Sequence, residues 1–111
     1  MLNCRDINCV KEIAKKILEE EGIYKGDFKV SLVTLPFNTL SRLNGDTVEI
    51  NLIKYHSFSV QTNGEAEINS SFILISILNA FLNDTGKVRE IISKYYGENS
   101  VVYRLIDIIF Q

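Results

Sequence analysis

One histidine, two cysteines and a short Asp84-Thr85-Gly86-Lys87 run are the residues whose chemistry must be weighed first. His56 is the sole imidazole, so it is the natural candidate for a general base near neutral pH. Such a base needs an orienting partner. No cysteine or carboxylate adjoins His56, although Glu49 or Glu65 could approach it across a sheet. A partly exposed strand histidine is therefore the favoured reading. Cys4 and Cys9 are five residues apart. On a helix that spacing turns through about 500°, which points the thiols to different sides. It is not C-x-x-C, and structural zinc wants four ligands. No metal, cofactor or catalytic residue is assigned. Residues 84–87 could offer backbone N–H groups to an anion at a helix start. They are too short for a phosphate loop, and no G-x-G-x-x-G, G-x-S-x-G or S-x-x-K occurs.

Composition narrows the partners. The chain has 12 Lys and Arg against 14 Asp and Glu, spread evenly, so no basic footprint favours nucleic acid. No run reaches the roughly 18 apolar residues of a membrane span. Met1-Leu2-Asn3 lacks the apolar core of a signal peptide. These features imply a cytoplasmic chain with reduced thiols, Cys4 at a helix start and Cys9 half-buried.

The 111 residues suit one α+β domain, 1–111. Asn3 can cap a first helix, with Asp6 in its first turn and Gly22 as its stop. Ile7, Val10, Ile13, Ala14, Ile17 and Leu18 recur at helical spacing. A central antiparallel meander of four or five strands is expected next. Its strands are 28–35, 37–43, 47–53, 55–62 and 65–68. Two hairpins, at Asn44-Gly45 and Asn63-Gly64, join them, because Asn-Gly tolerates the positive φ of a type I′ turn. A three-helix segment closes the chain, at about 70–82, 86–96 and 101–110. The first is apolar nearly all round and should be central. Its Asn79 is a buried amide that must find internal partners.

Two resemblances bear on function. Residues 88–109 carry Arg89-Glu90-Ile91-Ile92, Tyr95 and Val102-Tyr103-Arg104-Leu105. This segment resembles the helix-turn-helix of DNA-binding regulators. The resemblance implies a recognition face of Asn99, Ser100, Tyr103, Arg104 and Asp107, the first four as the nucleic-acid-binding residues. Relative to that pattern Gly97 falls one position late, Ile92 replaces a small residue, and the face is poor in positive charge. The order of an early helix, strands ending in Val48-Glu49-Ile50-Asn51, and a long apolar helix is similar to small zincin-type metalloprotease domains. Their H-E-x-x-H is absent here, so that resemblance implies a metal-free relic.

The leading expectation is a non-catalytic binding protein acting through self-association or a protein partner. Residues 70–110 hold more large apolar side chains than three short helices can bury against a small sheet, and an unburied apolar stripe marks an interface. The expected anchors of a two-fold homodimer are Tyr96, Val101, Tyr103, Ile108 and Phe110. The alternatives are a DNA-binding regulator using 88–109 and a small enzyme using His56.

Overall fold

The computed structural model describes Leu2 and residues 4–111. In chain order the elements are α1 (Ile7–Glu20), β1 (Lys29–Val33), β2 (Ser41–Asn44), β3 (Thr47–Asn51), α2 (Leu52–Gln61), α3 (Ala66–Leu82), α4 (Thr85–Tyr96) and α5 (Val101–Ile109). The fold is α+β, with five helices and one three-stranded mixed sheet among the described residues. The expected Asn3 cap lies outside the described residues. Asp6 is the observed N-cap of α1, accepting from the Cys9 backbone N–H at 2.9 Å.

The sheet order is β1-β3-β2, with β3 parallel to β1 and antiparallel to β2. This corrects the all-antiparallel meander. Apolar alternation reports which face of a strand is buried, not which way its neighbour runs. The parallel pairing requires residues 34–40 to cross the end of β3. The buried Asn51 holds them there: its Nδ2 faces the carbonyls of Leu35, Pro36 and Thr39 at 3.5, 3.1 and 2.8 Å.

The strands expected at 55–62 and 65–68 fall instead on α2, which runs to Gln61, and on α3, which starts at Ala66, with a turn between them. Asn51 ends β3 and caps α2, its Oδ1 accepting from the backbone N–H groups of Ile53 and Lys54. Beyond that cap the buried and half-buried positions are Lys54, Tyr55, Phe58, Ser59 and Thr62, a helical period. Val60, which a strand over 55–62 would set on the same face as the buried Phe58, is 65% exposed. Tyr55 and Phe58 both pack on Phe72 of α3, with ring centroids 5.5 and 5.1 Å apart. Aromatic side chains suit strands, but the cap and this contact outweigh that preference.

The two Asn-Gly pairs behave differently. Asn44 is the last residue of β2, and the chain passes through Gly45 and Asp46 into β3. Only Gly45 takes positive φ, +63°, where a type I′ turn would need two such residues. Asn63 and Gly64 both take positive φ, +64° and +65°, but they join α2 to α3 and not two strands.

Helix α3 is the central element. Every residue from Ser70 to Asn79 is buried, and the helix packs against α1, α2, α4, α5, β2 and β3. Three polar groups on it are tied to neighbours. Ser70 Oγ donates to the Cys4 carbonyl at 3.1 Å. Ser41 Oγ of β2 donates to the Ser76 carbonyl at 2.6 Å, and Asn79 Nδ2 donates to Ser41 Oγ at 2.9 Å. Asn79 thus binds sheet to helix. At the far end of α1, Tyr95 and Lys94 of α4 reach Glu20 and Glu21.

Cys4 and Cys9 form a disulfide, which corrects the expectation of reduced thiols. Helical geometry does not separate the two sulfurs, because Cys4 precedes the helix. Only Cys9 lies on α1, so the chain before Ile7 is free to bring the two sulfurs together. No helix of the described residues is long and apolar enough to cross a membrane.

Candidate protein-interaction surface

Three large apolar side chains project into solvent around one groove. Phe37 is 85% exposed, Ile53 is 53% exposed and Ile108 is 47% exposed. The groove has a volume of about 300 Å³ and is floored by Phe58, Phe72 and Ile109. Each exposed residue is placed for a separate reason. Phe37 follows Pro36 in the crossing segment, whose carbonyls are bonded to Asn51. Ile53 lies in the first turn of α2, one turn before the buried Phe58 face. Ile108 stands on the outward side of α5, whose inward residues are Val102, Ile106 and Ile109.

The groove contains one charged side chain, Lys54. Its Nζ lies 5.3 Å from the centroid of the Phe37 ring and 3.3 Å from the Gln111 backbone oxygen. The ammonium is thereby partly engaged, and its alkyl stem can cover apolar surface. Ser57 and Gln61 give the rim its polar groups. The groove thus has an apolar floor and a mixed rim, with Phe37, Ile53 and Ile108 beside Lys54, Ser57 and Gln61.

The expected anchors are not all gathered here. Ile108 lines this groove, and Phe110 lines a neighbouring one shared with Phe37, Leu40 and Lys54. Tyr96 and Val101 border a shallow concavity with Glu67 and the 97–100 turn. Tyr103 is half-buried against Arg89, whose guanidinium carbon is 5.8 Å from the ring centroid. Val101 and Ile108 do share a face of α5, seven residues and about 10 Å apart. Phe37 and Ile53 were missed by sequence reading, because both were assigned to strands. A large apolar residue directly after the only proline, in a segment too polar to be a core strand, was the available signal.

The residues of the nucleic-acid alternative are placed as follows. Ser100 caps α5, accepting from the Tyr103 backbone N–H at 3.2 Å. Asn99 and Arg104 are exposed. Arg89 is paired with Asp107 at 2.6 Å, and Asp107 together with Tyr103 holds the guanidinium even more firmly charged. The outward side of α5 therefore combines Val101, Ile108 and Arg104 with an acid–base pair, a composition closer to a protein contact than to a phosphate track.

His56 is exposed on α2, not at a strand start, and lines neither groove. A polar cavity of about 240 Å³ lies near the start of α1, with Arg5, Asp6, Tyr55, Asn69 and Ser70 on its wall. Asn69 Oδ1 is buried without a hydrogen-bond partner among the described residues. Among the described residues no three His, Cys, Asp or Glu side chains are grouped to hold a metal ion.

Compared with known protein families, curated proteins and solved structures, the chain matches none.

Proposed function

We propose that this chain is a non-catalytic interaction module that associates with a second copy of itself through the Phe37–Ile53–Ile108 face. The observation that carries the reading is Phe37, 85% exposed beside an apolar groove on the same face. A projecting ring and a hole that could receive one are both present, so a two-fold axis can satisfy each copy with the other. Two-fold contacts are the commonest closed symmetry and require this kind of self-complementarity. Burying one such side chain is worth about 1.5–3 kcal/mol before the costs of association. The small net charge of −2 opposes such a contact little.

Size-exclusion chromatography with light scattering tests this. The wild-type chain is expected to self-associate at micromolar concentration. Phe37→Ala should weaken association by about 30-fold or more, the signature of a central aromatic anchor. Ile108→Asp should abolish this contact while circular dichroism stays unchanged, since Ile108 projects from α5. A wild-type monomer at all micromolar concentrations would overturn the reading. If that monomer bound duplex DNA with steep salt dependence, lost on Arg104→Ala, the regulator reading would replace it.

A further inference from the structure

The sheet has an unused edge. Strand β1 lies at one side of the β1-β3-β2 order, so only one of its flanks is paired. The register aligns Lys29 with Thr47, and the Lys29 backbone N–H donates to the Asp46 carbonyl at 2.8 Å. In a parallel ladder a residue's N–H and C=O point to the same flank, and the flank alternates along the strand. Lys29, Ser31 and Val33 therefore face β3. Val30 and Leu32 face outward, and no hydrogen bond engages their N–H or C=O groups among the described residues. The edge has no proline within it, and its single charge stands at its first residue, Lys29. Natural edges are usually blunted by such devices, and this one is nearly bare.

We propose that this edge is a second self-association surface, pairing β1 with β1 of another copy, antiparallel, about a two-fold axis through Ser31. That register sets Val30 opposite Leu32 of the second copy, and the reverse. Each pair exchanges two backbone hydrogen bonds, so all four outward groups of each strand are satisfied. The side chains agree with it. Val30 and Leu32 are half-buried against the core, so they would meet their counterparts on the core side of a continuous six-stranded sheet. Ser31 lies on the opposite face, where its neighbour across the ladder is Glu49, itself paired with Arg42 at 2.8 Å. Lys29 falls opposite Val33, and no two like charges are opposed. A second copy is thus matched in hydrogen bonding, apolar face and charge. The contact is independent of the groove around Phe37, and either could fail alone.

The axis makes a specific test possible, because Ser31 would face its own symmetry mate across a close, non-hydrogen-bonded pair. The test is made in the Ile108→Asp background, which disables the groove. That variant should still form a dimer by light scattering. Adding Ser31→Lys should give a folded monomer, as should adding Ser31→Glu. Mixing the Lys and Glu variants should restore a mixed dimer, with at least a tenfold gain in affinity over either alone. Amide exchange gives a second readout in which nothing need be mutated. Val30 and Leu32 amides should exchange fast in dilute protein and become protected as concentration rises, while Ser31 and Val33 are protected throughout. An Ile108→Asp chain that is already monomeric would overturn this inference and leave the groove reading intact. So would a dimer indifferent to the charge at Ser31. A wild-type mass unchanged by Ile108→Asp but lowered by Ser31→Lys would support the edge and overturn the groove.

Discussion

Asn51 Nδ2 donates to the Thr39 carbonyl at 2.8 Å while Asn51 Oδ1 accepts from the Ile53 backbone N–H at 3.1 Å. One fully buried amide thus ends a strand, starts a helix and fastens the segment that carries Phe37. Asn51→Ala should destabilise the fold by about 2–4 kcal/mol, since it removes an N-cap and strands buried carbonyls. Asn51→Asp keeps the cap but turns a carboxylate toward three carbonyls, so it should be the worse of the two at neutral pH and recover in acid. Chemical denaturation at pH 7 and pH 4 measures both. A silent Asn51→Ala would contradict the pinning role.

The disulfide should contribute measurably. Closing a loop as short as Cys4–Cys9 is worth about 2 kcal/mol in the chain-entropy model. Replacing both cysteines with alanine should lower the melting temperature, and a reductant should do the same to the wild type. Thiol labelling of the native, unreduced chain at two sites would show that the bond does not form.

Acid should weaken two contacts of α1, one from its middle to Asp27 and one from its C-terminal end to α4. Lys11, the Phe28 backbone N–H and Lys15 hold the Asp27 carboxyl below its usual range. Lys94 and then the Tyr95 hydroxyl do the same for Glu21. Because both folded values are depressed, the stability they confer is fully present above the ordinary carboxylate range, about pH 4. It is lost as pH falls through the folded values. The melting temperature should therefore decline below about pH 4, with a shallower slope for Asp27→Asn. An identical slope in wild type and variant would refute the assignment.

Gly64 should tolerate substitution less well than Gly45. Both take positive φ, but a Cβ at Gly64 would meet Ser59 Oγ at 3.3 Å, whereas one at Gly45 meets nothing within 4 Å. Gly64→Val should cost about 1–3 kcal/mol and Gly45→Val somewhat less, from backbone strain alone. Thermal denaturation of the two variants, with equal losses or with Gly45→Val the worse, would count against this ranking.

Local features can be read along the chain. The 3.6-residue period from Ile7 to Leu18 marks α1, and the near-unbroken apolar run from Phe72 to Leu82 marks α3 as the buried centre. The period-2 patterns of Val30 and Leu32, and of Val48 and Ile50, mark two strands. Those signals survive because each depends only on which side of an element meets the core. Non-local features arise only when the chain packs together. The parallel pairing of β1 with β3 depends on residues 34–40 crossing the sheet end, held by an asparagine up to 16 positions away. Residues 55–62 alternate like a strand, yet the Asn51 cap and the Phe72 ring select a helix. The exposed face followed from that choice. Once α2 is helical, Ile53 turns outward beside Ile108 and Phe37, a grouping that no spacing along the chain encodes because its members come from three separate segments.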